Sequence, residues 1–193
     1  MQLSQTCLTL QCSFHLLLGD NFYLTSTQHE GVTSTTDSQW YSDYTSVYTG
    51  AGLNIPFFAV LGNHDYYAGA VPQAEILYTT LNLDNRWNMP DHNYTLIYPI
   101  PGSTKTLQLV FIDTPRISPT TSSTINPTNA VALQAQAIAW FKQTLAASTA
   151  TYIIVCGHYH GKSGAHSWVA YHFRFSYAGW IVFGCYSLLE HWG

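Results

Sequence analysis

Three short stretches hold the side chains that chemistry would need. Asp20 and Tyr23 follow the apolar run Phe14 to Leu18, in Gly19-Asp20-Asn21-Phe22-Tyr23. Asn63 and His64 follow the apolar run Ile55 to Leu61, in Gly62-Asn63-His64-Asp65-Tyr66. His158 and His160 follow Tyr152 to Cys156, in Gly157-His158-Tyr159-His160. A carboxylate, a phenol, an amide oxygen and imidazole nitrogens are donors suited to iron, zinc or manganese. Each has a bland reading alone: an Asp after a strand caps a turn, and a buried Asn or His is more often hydrogen-bonded structure than ligand. Repetition at three strand ends is harder to explain that way, because strand ends are where layered folds build their sites.

The elements that would place these turns are legible from apolar pattern. Phe14 to Leu18, Ile55 to Leu61, Tyr94 to Tyr98, Leu107 to Ile112 and Tyr152 to Cys156 read as strands, the first and last of them buried. Leu107 to Ile112 delivers Asp113 and Thr114 to a sheet edge. Pro72 opens a helix with proline in its first turn. Asn129 to Ala147 reads as the longest helix, with Leu133, Ala137, Trp140, Phe141 and Leu145 on one face at mostly three- and four-residue steps. Residues 25 to 49 are rich in Thr, Ser and Tyr and read as a long surface segment with one or two helical turns between Asp37 and Tyr48. Strands alternating with helical pieces predict a layered α/β or α+β sandwich. No repeat or linker marks a second domain, so residues 1–193 are read as one domain.

Bulk composition narrows the partners. The chain has 193 residues, enough for a sizeable core, and 47% of them are hydrophobic. Charged residues make up 8%, against about 25% in typical soluble domains. Six Lys and Arg against ten Asp and Glu give a net charge of -4, so nucleic acid is not an expected partner. Trp168 to Leu189 is apolar, but Arg174 near its middle would cost about 2.5–3.5 kcal/mol in a bilayer; a membrane span is not expected. The N-terminus lacks a basic start and is interrupted by Gln11, Cys12 and His15, unlike a secretory leader. Four cysteines form no CxxC pair; Cys156 reads as core, and one disulfide is compatible with the rest.

The three strand-end motifs, with Asp37-Ser38-Gln39-Trp40, Arg86-Trp87-Asn88-Met89-Pro90 and Phe111-Ile112-Asp113-Thr114 between them, resemble the purple acid phosphatases. The resemblance is strongest to their tartrate-resistant type, within the calcineurin-like metallophosphoesterases. It covers about Leu17 to Tyr159 and leaves residues 160–193 as an unmatched tail. It implies a four-layer αββα sandwich and hydrolysis of phosphate monoesters, small molecules or phosphoproteins, at a centre of Fe(III) and a divalent metal (Fe, Zn or Mn). In that scheme Asp20 bridges the metals, Tyr23 binds the ferric ion as phenolate, and Asn63 and His158 bind the divalent ion. A metal-activated hydroxide is the nucleophile. His64 faces substrate and protonates the leaving group, as an imidazolium that neighbouring phosphate would favour.

The pattern also departs from the family. The resemblance implies another Asp ligand upstream, yet Asp20 is the first acidic residue. It also implies a later substrate-facing His and a closing Gly-His-x-His. His166 lies near the first of these, one residue early; His160 is an accidental histidine if Gly157-His158-Tyr159 is the earlier block, and a ligand if it is the closing one. The alternative to an active hydrolase is therefore an incomplete sandwich that binds one metal or phosphate without turnover, as an interrupted gene would yield. The family's setting is secreted or lysosomal.

Overall fold

The structure is a computed structural model that describes residues 2–23, 30–67, 70–117, 127–159 and 181–184. In chain order these give helix α1 (Gln2–Leu10), strand β1 (His15–Leu18), a π-helical segment (Trp40–Thr45), a 3-10 turn (Ala51–Leu53), β2 (Phe57–Val60), a second 3-10 turn (His64–Tyr66) and α2 (Pro72–Thr80). There follow β3 (Trp87–Asn88), β4 (Tyr94–Pro99), β5 (Thr106–Phe111), α3 (Thr114–Ile117), α4 (Pro127–Ala146), β6 (Tyr152–Cys156) and β7 (Ile181–Gly184).

The strands form a three-stranded sheet, β1-β2-β3, and a four-stranded sheet, β4-β5-β6-β7. The first is parallel throughout; in the second only the β4–β5 pair is antiparallel. Alternation along the strands explains the layers. On β5, Leu107, Leu109 and Phe111 turn toward the first sheet, while Val110 and the following Ile112 turn toward Trp140, Phe141 and Leu145 of α4. On β2, Phe58 meets Phe111 of the second sheet at 5.9 Å, whereas Phe57 meets Tyr44 of the outer helical layer at 5.7 Å. Helices therefore cover both outer faces of two packed sheets, as the layered reading expects. Tyr94 fixes the spacing of the sheets: its ring stacks on Phe111 at 4.3 Å and its hydroxyl donates to the Ala59 carbonyl at 2.7 Å.

Several expectations are corrected. The first strand, read as buried, is an edge strand with all four residues partly exposed. The helical turns between Asp37 and Tyr48 are not surface structure: Trp40 and Tyr44 are almost wholly buried, with Trp40 stacked on Tyr78 at 3.6 Å and Tyr44 edge-on to Trp87 at 5.1 Å. Trp40, Tyr44 and Tyr48 recur every fourth residue, which a widened helical turn converts into one aromatic face. The N-terminal stretch, given no element by its sequence, forms α1, and Cys7 is disulfide-bonded to Cys12. Buried Cys156 keeps its thiol, pushed up to about 12 by burial. No helix among the described residues is long and apolar enough to cross a membrane; Ile181–Gly184, inside the apolar tail, pairs with β6 as a strand.

Phe111 is fully buried between Tyr94 and Phe58. We predict that Phe111→Ala destabilises the chain by about 3–5 kcal/mol in urea unfolding, the usual range for an aromatic deleted from a packed core. A loss under about 1 kcal/mol, the scale of an average substitution, would show that the sheets do not pack as described.

Candidate metal centre

The ends of β1 and β2 meet at two glycines. Gly19 has φ +90°, and a Cβ there would lie 2.7 Å from the Gly62 nitrogen and 2.8 Å from His158 Nδ1. A Cβ on Gly62 would lie 2.2 Å from both the backbone nitrogen and Oδ1 of Asp20. Without side chains at these positions the two turns press together. Asp20 follows with φ +54°, a left-handed conformation that Asp tolerates better than most residues. It turns the carboxylate back over the β2 end, where Oδ1 accepts from the His64 backbone N–H at 2.9 Å.

This packing aims three lone-pair-bearing atoms at one another. His158 Nδ1 lies 2.9 Å from the Leu18 carbonyl, which can only accept, so Nδ1 carries the proton. His158 Nε2 then faces Asn63 Oδ1 at 3.0 Å and Asp20 Oδ1 at 3.3 Å. Both oxygens are acceptors and, with Nδ1 protonated, so is Nε2, so the three atoms form a donor set that a cation between them would satisfy. One carboxylate, one amide oxygen and one imidazole, with the imidazole oriented by a backbone carbonyl, suit a borderline divalent cation. No three His, Cys, Asp or Glu side chains gather into a metal-binding group among the described residues; the present donors include an amide and reach a set of three only with it. A cavity of about 120 Å³ opens beside Asp20, with Leu18, Asn21, Asp43, Tyr44 and Trp87 among its walls.

Tyr23 occupies the other side of Asp20. Its hydroxyl donates to Asp20 Oδ2 at 2.7 Å, and burial, then the Asp20 carboxylate, pushes the phenol well above its ordinary range. The phenol is therefore a proton donor here and would bind a cation only after that proton leaves. His64 lies between the rings of Tyr23 and Tyr67, each 4.7 Å away. Its Nε2 stands 3.9 Å from Asp20 Oδ2 and its Nδ1 2.9 Å from Glu30 Oε2.

Buried groups hold these turns from behind. Asp65 is fully buried and accepts the backbone N–H groups of Gly62 at 2.8 Å and Asn21 at 2.9 Å, which ties the β1 and β2 turns to one carboxylate. Asn21 Nδ2 bridges to the Val60 carbonyl and to Glu75 Oε2, both at 2.9 Å. Glu75 is fully buried; desolvation and then the Asp65 charge push it well above the carboxylate range, so it holds the proton of this pair. The end of β5 supports the other side. Asp113, fully buried, accepts from the Tyr66 hydroxyl and from His92 Nδ1, the latter at 2.9 Å. Arg116 donates to His92 Nε2 at 2.9 Å. The next residue, Thr114, accepts the Tyr159 N–H at 2.7 Å and anchors the His158 turn.

Of the residues singled out from sequence, Asp20, Tyr23, Asn63, His64 and His158 come together at one lip of the sandwich. His160 and His166 lie outside the described residues. Asp65, whose sequence context allows either an orienting role toward His64 or a turn-stabilising one, takes the second and pins the Asn21 and Gly62 backbone. Glu30 was missed, since a lone acid in a Ser/Thr-rich stretch gives no pattern. Glu75 was passed over as an ordinary first-turn acid. Asp113 had been placed at a sheet edge, but its partners His92 and Arg116 carry no local signal.

The fold and the turns define a class of protein. The model of the calcineurin-like phosphoesterase family matches residues 9–184, and the chain belongs to that family. Within it, the chain is 32% identical over 163 residues to tartrate-resistant acid phosphatase type 5 of Sus scrofa, covering 81% of this chain and 45% of that protein. It is 29% identical over 164 residues to the Mus musculus protein of the same name, covering 82% and 47%. Purple acid phosphatase 3 of Arabidopsis thaliana is 34% identical over 87 residues, 45% of this chain and 22% of that one. The chain thus spans about half the length of the tartrate-resistant phosphatases it matches. Among solved structures, "GAP50 the anchor in the inner membrane complex of Plasmodium" superposes with a TM-score of 0.60 at 23% identity, over 80% of this chain and 47% of that one, a likeness of fold.

The buried carboxyl pair makes stability depend on pH with a definite sign. Glu75 binds its proton more tightly folded than unfolded, so stability falls as pH rises from the ordinary glutamate range toward its raised folded value. Glu75→Gln keeps the shape of the neutral acid without that loss. We expect the stability gap between Glu75→Gln and wild type, from urea unfolding, to widen in the variant's favour between about pH 5 and about pH 8. A constant gap would show that Glu75 is not the proton holder.

Proposed function

We propose that this chain is a phosphomonoesterase of the acid phosphatase type, hydrolysing small phosphate esters or phosphoproteins at a dinuclear Fe(III)–M(II) centre. The observation that carries the reading is the convergence of Asp20 Oδ1, Asn63 Oδ1 and His158 Nε2, three acceptors that a cation between them would satisfy. Asp20, Asn63 and His158 would hold the divalent ion, and Asp20 with Tyr23 would face the ferric ion. The metals would supply Lewis acidity for water and for phosphoryl charge.

The chain's own groups then have distinct tasks. His64 points its Nε2 toward the Asp20 side from a slot between two aromatic rings. From there it would contact the phosphoryl group and donate a proton to the leaving oxygen, a contribution of about 10²–10⁴-fold for general acid catalysis. Asp65 and Glu75 keep the Asp20 and Asn63 turns in register without meeting substrate.

One observation favours a second reading, a chain that holds one cation or phosphate without turnover. Among the described residues only Tyr23 joins Asp20 on the ferric side, and no group of three His, Cys, Asp or Glu side chains gathers there. The two readings part in one experiment. The chain is purified with iron and zinc and assayed with p-nitrophenyl phosphate at acidic pH, with and without tartrate, beside its metal content. Turnover that resists tartrate, with a visible phenolate-to-iron band, supports the phosphatase; bound metal without turnover supports the second reading. In the active protein, His64→Ala lowers kcat by about 10²-fold or more and leaves metal content unchanged. Parallel loss of metal and turnover would contradict the role given to His64.

A further inference from the structure

We propose that Glu30 is a positioning residue for His64, fixing the tautomer and tilt of the imidazole so that Nε2 faces the site. The inference rests on the reading of His64 as the group that meets substrate. His64 Nδ1 lies 2.9 Å from Glu30 Oε2, and a carboxylate there accepts the Nδ1 proton. That leaves Nε2 for the Asp20 side, 3.9 Å from Oδ2. The Tyr23 and Tyr67 rings pack against the imidazole at 4.7 Å each, but ring contacts alone do not decide which nitrogen points inward. Glu30 decides it.

A second observation shows that the contact is built. Gly31, the next residue, has φ +65°, and a Cβ there would lie 2.5 Å from Ala70 Cβ and 3.3 Å from both Asp65 Cα and the His64 carbonyl oxygen. The backbone beside Glu30 is thus pressed against the turn that carries His64, in a conformation and a space that suit glycine alone. Its N–H donates to the Phe22 carbonyl at 3.1 Å, and Val71 N–H donates to the Val32 carbonyl at 2.8 Å, so this segment is tied both to the turn after β1 and to the chain that follows the His64 turn. The His64 and Glu30 side chains are 26% and 23% exposed. At that exposure an ion pair contributes little to stability, so its weight lies in orientation.

In the proposed reaction, water gives up one proton to solvent, from which His64 is later reprotonated, as its oxygen bonds to phosphorus and the bond from phosphorus to the ester oxygen breaks. The electron pair of that bond stays on the ester oxygen, which takes the His64 Nε2 proton and leaves as an alcohol or phenol. Nδ1–H remains on Glu30 throughout, so the ring need not turn between protonation states.

The test compares wild type with Glu30→Ala and Glu30→Gln, whose amide oxygen can still accept from Nδ1. The first readout is the ¹⁵N tautomer of His64 in the metal-free chain, assigned by loss of its signals in His64→Ala. Wild type and Glu30→Gln should hold the Nδ1–H form, and Glu30→Ala should show a mixture. The second is kinetic, with p-nitrophenyl phosphate and iron and zinc bound. Glu30→Ala should lower kcat about 10–100-fold, the range for groups that orient a site's first ligands, with KM, metal content and Tm little changed; Glu30→Gln should recover most of kcat. An unchanged tautomer and kcat in Glu30→Ala would overturn the proposal, as would a joint fall of kcat, metal content and Tm. If the loaded wild type does not turn over, the phosphatase reading fails, and the tautomer alone decides whether Glu30 sets His64.

Discussion

The ends of β1 and β2 can touch only because neither carries a side chain at the point of contact. Everything at the lip follows from that approach. With Gly19 against Gly62, the Asp20 carboxylate lies over the His64 N–H, the His158 ring fits against the Leu18 carbonyl, and Asn63 Oδ1 falls beside His158 Nε2. Either Cβ would fall within 2.2–2.8 Å of atoms of the opposing turn and open the cluster. The glycines of the two motifs thus shape the candidate site although they carry no donor side chain.

Behind the lip, three buried acids brace the turns. Asp65 gathers backbone N–H groups from both turns of the first sheet, and Glu75 can lie against it only by keeping its own proton. Asp113 reaches from the second sheet to Tyr66, while its neighbour Thr114 fixes Tyr159. Each acid lies at the end of a strand or beside one, so the sheets and the site share their anchors. A buried charged group left without its partner is costly, and for that reason the brace should resist piecemeal change.

Much of the fold could be read from the chain because periodicity is local. The runs around Phe57–Val60, Thr106–Phe111 and Tyr152–Cys156 are apolar and bounded by polar turns, and the face of α4 repeats at helical steps. The burial of Trp40 and Tyr44 was not legible, since they stand among Ser, Thr and Asp with no steady apolar period around them. β1 read as buried because its residues are apolar, but burial depends on which strands lie beside it. At the site, Asp20, Asn63 and His158 could be named because strand ends converge in layered folds. Glu30 and Glu75 could not, because a lone acid acquires its role only when folding brings His64 or Asp65 to it.

The account depends on Asp20, Asn63 and His158 sharing one cation. Cobalt(II), a spectroscopic stand-in for zinc, tests this without any assay of turnover. Titrated into the metal-free chain, it should saturate a site with a visible d–d spectrum and shift the His158 ring resonances. His158→Ala should lose that spectrum while the chain stays folded. A wild-type chain that takes up no cobalt, or a His158→Ala variant that binds it as well, would contradict the central claim.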